Sequence, residues 1–146
     1  MTTILFYEEY APYGYFSNFA SCPILLKGRI WPTTEHYYQA QKYAGTDYEE
    51  AVRLAWSPMT CKDMTRDPLH PPRPDWAEVR DGVMREALVA KFTQYPNLRA
   101  LLAASGDAAL VEHTANDHYW ADGGDGSGRN MLGTLLMAVR DELHIT

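Results

Sequence analysis

One long amphipathic segment sets the frame for how this chain folds. Asp75 and Glu78 have the spacing of a capping box, which marks the first turn of a helix. Beyond them, apolar residues recur at three- and four-residue steps along one face of the predicted helix. These residues are Val79, Val83, Met84, Ala87, Leu88 and Phe92. Because such a stripe has to be buried against other elements, we predict that this helix is the spine of the core.

Turn and capping signals divide the rest of the chain into short elements. Strands are predicted over residues 2–7 and 109–114, a hairpin over 22–31, and further helices over 34–45, 48–56, 96–105 and 130–143. The proline-rich stretch 57–74 has no clear periodicity and is not assigned. The pattern predicts an α+β fold that is mostly helical, with a small antiparallel-type sheet.

Length and charge restrict the architecture and the partners. The chain has 146 residues, which predicts one domain over residues 1–146. Its formal net charge is −6, with a pI near 5.3. This charge disfavours non-specific binding to duplex nucleic acid through a broad basic face.

The sequence also predicts the cellular location of the protein and the absence of a membrane partner, a metal and a cofactor. No apolar run approaches the roughly 20 residues that span a bilayer, and residues 1–10 lack the features of a secretory signal. We therefore expect a cytoplasmic protein with no membrane partner. Cys22 and Cys61 have no disulfide or zinc-site spacing and are predicted to be buried thiols. We expect no metal and no cofactor.

The first candidate site is a polar face of the helix predicted over residues 34–45. Glu35, Gln39 and Lys42 lie at i, i+4 and i+7, which places a carboxylate, an amide and an amine on one side. Spacing alone is also typical of a solvated helix face. The aromatic residues around these turns favour a pocket instead, in which burial would raise the pKa of a carboxyl as a general acid requires. They are Trp31, Tyr37, Tyr38 and Tyr43.

Two further segments carry candidate binding residues. Trp76 begins the long helix and either stacks on a heteroaromatic base or packs in the core. Arg73 and Arg80 either bind a phosphate near that helix start or are ordinary surface arginines. The glycine-rich segment 116–130 matches neither a phosphate-binding nor a calcium-binding loop, and we predict that it is a functional loop.

Several ordered blocks together resemble one known family. The blocks are FSNF at 16–19, WPTTEHYYQAQKY at 31–43, DW at 75–76, VM at 83–84, KF at 91–92, LVEHTANDHYW at 110–120 and GRNMLGTLLMAVRDEL at 128–143. They resemble the YbiA-like N-glycosidases of the NADAR superfamily over nearly the whole chain. The resemblance implies a compact α+β fold and hydrolysis of the N-glycosidic bond in early phosphoribosylamino-pyrimidine intermediates of riboflavin synthesis, with release of ribose 5-phosphate.

The resemblance also implies roles for individual residues. Glu35, Lys42 and Asp122 would be catalytic, and the substrate would be bound by Asn18, Trp76, Asp117, Trp120, Arg73 and Arg80. Lys42 would either hold the phosphate or attack C1 as a Schiff-base nucleophile. Ala121 stands where relatives carry the first glycine of a Trp-Gly-x-Gly run, and a Cβ there would strain the loop if the position has a positive φ.

Other functions fit parts of the same pattern. Another branch of the superfamily suggests removal of ADP-ribose from guanine in nucleic acid, which would make an ADP-ribosylated nucleic acid the substrate. A third possibility is a non-enzymatic module that binds ADP-ribose or a related nucleotide. In the leading hypothesis the partner is a small phosphoribosylated pyrimidine.

Overall fold

The computed structural model describes residues 2–145 and confirms the mostly helical α+β class. Within these residues, six α-helices and four strands follow one another along the chain. They are β1 (Thr3–Phe6), β2 (Ile24–Leu26), β3 (Arg29–Trp31), α1 (Thr34–Gln41), α2 (Asp47–Arg53), α3 (Pro58–Met64), α4 (Trp76–Gln94), α5 (Pro96–Ala104), β4 (Ala109–Glu112) and α6 (Met131–Ile145). None of the described helices is both long and apolar enough to cross a membrane.

The chain packs as two compact units. The central unit consists of residues 21–90, and the terminal unit consists of the residues up to Ala20 together with those from Lys91 onward. The boundary falls within α4, so this helix contributes residues to both units. The single domain over 1–146 stays a prediction.

A tight hairpin opens the central unit. β2 and β3 pair antiparallel, with Ile24 opposite Trp31, as the sequence predicts. Lys27 and Gly28 form the turn with φ values of 53° and 74°. Positive φ at both central positions is the geometry of the hairpin turns whose twist matches that of the flanking strands.

The first helix follows the hairpin directly. Thr33 caps α1, since its side-chain oxygen accepts the backbone N–H of His36 at 3.1 Å. The helix ends at Gln41 rather than near Gly45, because the next backbone bonds are of the i to i+3 type, from Tyr43 to Ala40 and from Ala44 to Gln41. α3 lies in the unassigned stretch, where Ser57 caps it by accepting the backbone N–H of Thr60 at 3.1 Å.

The predicted apolar stripe of α4 is confirmed with one exception. Val83, Met84, Ala87, Leu88 and Phe92 are buried, whereas Val79 is half-buried. Cys61 is buried as predicted, but Cys22 is only half-buried, and both are free thiols.

A parallel strand pair lies in the terminal unit. β1 pairs with β4, with Thr3 opposite Ala109 and Phe6 opposite Glu112. The sequence predicts both strands but gives no sign of this parallel pairing, which joins distant parts of the chain. The small sheet is therefore two separate pairs, one antiparallel and one parallel.

Asn130 and Gly133 join α6 to β4. The Asn130 side-chain oxygen accepts the backbone N–H of Glu112 at 3.0 Å, and its amide donates to the carbonyl of Leu110 at 2.9 Å. These bonds satisfy backbone groups of β4 that a neighbouring strand would otherwise have to pair. A Cβ at Gly133 would overlap the same Leu110 carbonyl oxygen, so only glycine permits this close approach.

Candidate active site

The polar face of α1 is buried, so its interpretation as a solvated face is wrong. Every residue from Thr34 to Gln41 is buried in the structure. Glu35 is 7% exposed and Gln39 is 5% exposed. Charged and amide side chains are rarely buried to this degree unless they have partners or a function.

Glu35 and Gln39 form a direct side-chain pair. The Gln39 amide nitrogen Nε2 donates to Glu35 Oε2 at 2.7 Å, which is the short distance of a hydrogen bond to a charged acceptor. The other end of the amide, Oε1, is buried and has no hydrogen-bond partner among the described residues. Leaving a buried polar atom unpaired costs about 1–3 kcal/mol, so this arrangement is retained against a stability penalty.

Lys42 lies one turn beyond Gln39, among aromatic rings. Its Nζ is 5.7 Å from the ring centre of Tyr38 and 5.8 Å from that of Trp76. Those two rings are in contact, with centres 5.1 Å apart. Burial lowers the pKa of Lys42, the charge of Glu35 partly offsets this effect, and Lys62 lowers the pKa further. A larger fraction of Lys42 is therefore a neutral amine than in an exposed lysine.

A backbone hydrogen bond just before α4 holds Trp76 close to Lys42. The amide N–H of Arg73 donates to the carbonyl of Lys42 at 2.8 Å, which attaches the start of α4 to the end of α1. Trp76 is half-buried, with its indole in contact with Tyr38 and close to Lys42. The structure thus brings together three of the predicted residues, Glu35, Lys42 and Trp76. We call Glu35, Tyr38, Gln39, Lys42 and Trp76 the α1 cluster.

The predicted phosphate-binding arginines differ in their surroundings. Arg73 donates from Nε and Nη2 to the two carboxylate oxygens of Asp75, at 2.6 and 2.9 Å. Its remaining N–H groups can still bind an anion, since a guanidinium has five. Arg80 lies on α4 one turn after Trp76 and is half-buried.

Two buried side chains, His36 on α1 and Cys61 on α3, have structural roles. His36 Nε2 lies 3.1 Å from the carbonyl oxygen of Ala55 and must donate to it, so Nδ1 accepts from the Thr33 hydroxyl at 2.9 Å. Burial lowers the pKa of His36, which agrees with this neutral form. Burial, together with the charge of Glu35, raises the pKa of Cys61 to about 12, so this thiol is not a nucleophile.

The glycine-rich segment of the terminal unit is organised by its two predicted carboxylates. Asp117 Oδ1 accepts the backbone N–H groups of Tyr119 and Trp120, both at 2.8 Å. Asp122 is 6% exposed and accepts the backbone N–H groups of Thr114 and Gly124, at 3.1 and 2.8 Å. Asn18, predicted to bind substrate, is buried in the same unit. The segment is therefore an ordered loop, with its backbone held by side chains.

Asp122 also has a side-chain partner that the sequence did not indicate. Its Oδ2 lies 2.7 Å from Nδ1 of His113, whose side chain is 47% exposed. Burial alone would raise the pKa of Asp122. The hydrogen bonds from His113, Gly124 and Thr114 outweigh it and hold this pKa below its ordinary value.

Ala121 fits the loop without strain. Within the part of the chain that the structure describes, the positive φ values of this loop fall on Gly123, Gly124, Gly126 and Asn130. Ala121 itself is fully buried. The alanine that replaces the glycine of relatives does not have a positive φ. Its Cβ therefore causes no backbone strain at this position.

Asp122→Asn is expected to destabilise the protein in a pH-dependent way. The variant loses a carboxylate that accepts three hydrogen bonds, which costs about 1–3 kcal/mol in the free energy of unfolding at pH 7. Because the folded pKa of Asp122 is lowered, its stabilisation is complete above the unfolded value and disappears as the pH falls through the folded value. Urea unfolding of both proteins from pH 7 down to pH 2 measures the difference.

Asp125→Asn is the matched control for that experiment. Asp125 lies in the same loop but is exposed, and among the described residues its side chain bonds only to Ser127. We expect this variant to lose much less stability. Equal losses in the two variants would contradict the organising role of Asp122.

Sequence analysis missed two buried charges in the terminal unit, Lys91 and Arg140. Lys91 is 1% exposed, and its Nζ donates to the carbonyl of Ser17 at 3.0 Å. Its position next to Phe92, at the end of the apolar stripe of α4, was the only available signal.

Comparisons with known proteins show the family to which this chain belongs. Residues 5–144 match the family model described as the NADAR domain. The N-glycosidase YbiA of Escherichia coli is 53% identical over 144 residues, which cover 99% of this chain and 90% of that protein. An N-glycosidase of Nostoc punctiforme is 39% identical, over 97% of this chain and 92% of that protein.

Two further comparisons concern structure and domain context. The NMR structure of E. coli YbiA, at 53% identity, superposes with a TM-score of 0.91 and covers 99% of this chain and 86% of that one. A riboflavin biosynthesis protein of Vibrio vulnificus is 43% identical over 96% of this chain, which spans 38% of that longer protein.

Proposed function

Because this chain belongs to the NADAR domain family, we propose that it is an N-glycosidase that acts on early phosphoribosylamino-pyrimidine intermediates of riboflavin biosynthesis. The reaction would consume one water molecule and release ribose 5-phosphate and the free aminopyrimidine. The names of the similar proteins support this proposal, as they include N-glycosidases and a riboflavin biosynthesis protein.

The observation that carries the proposal is the α1 cluster. Cleavage of a glycosylamine breaks the C1–N bond, and the departing nitrogen keeps the electron pair and takes up a proton. Water then forms a bond to C1 and loses a proton. A carboxyl group that can give and accept a proton serves both steps. Glu35 is a buried carboxylate held by Gln39 and lies beside an amine and two aromatic rings.

The remaining groups of the α1 cluster suit the two parts of such a substrate. The partly exposed indole of Trp76 offers a stacking face for the pyrimidine. Lys42 serves the ribose 5-phosphate in one of two ways: it pairs with the phosphate as a cation, or it attacks C1 as a neutral amine.

The family resemblance adds residues whose roles stay predictions. Asp122 is predicted to be catalytic, and Asn18, Asp117 and Trp120 are predicted to bind substrate, as are Arg73 and Arg80. The bonds that Asp122 makes within its loop are compatible with holding a fixed negative charge for a cationic ribose.

The proposal is tested by measuring ribose 5-phosphate release from freshly generated phosphoribosylamino-pyrimidine. We expect release well above the spontaneous rate and the same rate with and without a chelator. No release above the spontaneous rate would refute the proposal. Release of ADP-ribose from an ADP-ribosylated oligonucleotide by the same preparation would then identify nucleic acid as the substrate. Tight binding of ADP-ribose without turnover would indicate a binding module.

A further inference from the structure

Two buried glutamines on α1 differ in how their amides are used. Gln41 is 1% exposed, and both of its amide ends have partners. Lys27 Nζ donates to its Oε1 at 2.9 Å, and its Nε2 donates to Glu49 Oε2 at 2.7 Å. Gln39 makes the same bond from Nε2, to Glu35 Oε2 at 2.7 Å, but its Oε1 has no partner within residues 2–145.

This difference decides which amide is free to rotate. The two ends of a primary amide have nearly the same size, so a half-turn about the last side-chain bond exchanges the donor and the acceptor. For Gln41 the half-turn would point N–H groups at the Lys27 ammonium and the carbonyl oxygen at the Glu49 carboxylate. For Gln39 one end is unpaired in either orientation, so the half-turn changes only the bond to Glu35.

The state of Glu35 then determines which orientation of Gln39 is stable. An ionised carboxylate only accepts hydrogen bonds, so it pairs with the amide nitrogen. A protonated carboxyl can donate, and the carbonyl oxygen is the matching acceptor. Charged and titratable groups near this site include Lys42 at the end of α1, and Cys61 and Lys62 on α3. An ammonium group only donates, so Lys42 can accept from Glu35 only in its neutral form, and the Cys61 thiol donates to the carbonyl of Val52 at 3.3 Å.

We propose that Gln39 is a positioning residue that holds Glu35 in both of its protonation states by rotating its amide. This inference rests on the proposed function, in which Glu35 gives a proton to the leaving nitrogen and accepts one from water. A carboxyl group that is held in one place before and after each transfer needs no rearrangement during the reaction. When Glu35 is protonated, Oε1 of Gln39 accepts a hydrogen bond from the Glu35 O–H.

Gln39→Met and Gln41→Met form a matched pair for the test. Methionine has a similar length and makes no comparable hydrogen bond. We expect Gln39→Met to lower kcat by about 10- to 100-fold, as small misplacements of catalytic groups do, with KM nearly unchanged. Its melting temperature should fall less than that of Gln41→Met, because Gln39 loses one hydrogen bond together with a buried unpaired oxygen, whereas Gln41 loses two hydrogen bonds. Gln41→Met should lower the melting temperature and leave kcat unchanged.

The opposite pattern would overturn the inference. If Gln39→Met melts as low as Gln41→Met and keeps the wild-type kcat, Gln39 has only a structural role. Should wild-type protein release no ribose 5-phosphate at all, the proposed function fails, and a second measurement that needs no turnover still tests the behaviour of Gln39.

That measurement is carbon NMR of protein labelled at the side-chain Cδ of glutamine and glutamate, recorded as Glu35 titrates. We expect the Gln39 Cδ resonance to move downfield with the same midpoint as Glu35, because its carbonyl gains a hydrogen bond on protonation. The Gln41 resonance should not follow this midpoint. A Gln39 resonance that stays constant or moves upfield means that its amide does not rotate, and the inference is then wrong.

Discussion

Glu35→Gln is expected to lower the rate of ribose 5-phosphate release by about 10²- to 10⁴-fold, the usual contribution of general acid–base catalysis. The substituted amide cannot exchange protons with the leaving nitrogen or with water. It can still form a hydrogen bond with Gln39, which pairs with position 35 in the wild-type protein. The variant should therefore fold and keep binding substrate. Initial rates with saturating substrate, together with a thermal melt, measure both properties.

Glu49→Gln is the control for this substitution. Glu49 also accepts a glutamine amide, from Gln41 at 2.7 Å, and it lies on α2, outside the α1 cluster. The two variants thus remove the same charge from the same kind of hydrogen bond. We expect Glu49→Gln to keep the wild-type kcat. A Glu35→Gln protein that turns over nearly as fast as Glu49→Gln would remove Glu35 from the mechanism.

Lys42→Met is expected to lower kcat/KM on the order of 10²- to 10³-fold, as the loss of a charged or reacting group at the transition state does. Lys42→Arg separates the two roles of the amine. Because burial lowers the pKa of Lys42, we expect attack on C1 by the neutral amine, and arginine should then be as inactive as methionine. In that step the lysine nitrogen bonds to C1 while the C1–N bond to the pyrimidine breaks, and water later hydrolyses the imine.

The pH profile and chemical trapping check this expectation. Activity that depends on the neutral amine rises as the pH increases through the lowered pKa of Lys42, and borohydride added during turnover should fix the sugar to the protein. If Lys42→Arg retains most of the activity and borohydride traps nothing, Lys42 binds the phosphate as a cation. Activity should then fall as the pH increases through the same pKa.

Local features of the fold were predictable because their signals lie close together in the sequence. Thr33 or Thr34 before a helical stretch predicts the start of α1, and the structure shows that Thr33 is the cap. Lys27-Gly28 predicts the hairpin turn, which is confirmed. The same holds for the grouping of Glu35, Gln39 and Lys42, since helical spacing alone places them on one face. Ser57 followed by Pro58 is also a helix-start signal, but without periodicity after it α3 was not assigned.

Other features depend on tertiary contacts, which no local pattern contains. Helical spacing places Gln39 beside Glu35, but it does not show that Lys27 and Glu49 pair with both ends of the Gln41 amide while one end of the Gln39 amide stays unpaired among the described residues. The Asp122 to His113 bond likewise depends on how the loop closes on itself. Burial of Lys91 requires the carbonyl of Ser17, from the other end of the chain.

The parallel pairing of β1 with β4 also affects the order in which the protein can assemble during synthesis. The central unit is continuous in sequence, so all its residues have been synthesised before β4 is made. The partner strand of β1 lies on the order of 100 residues further along the chain, which takes about 5 to 20 s to translate. During that time its backbone edge is unpaired, but the strand has only four residues, and Glu8 and Glu9 follow it closely. A short strand with nearby negative charge is a poor template for aggregation, so the nascent chain can tolerate the delay.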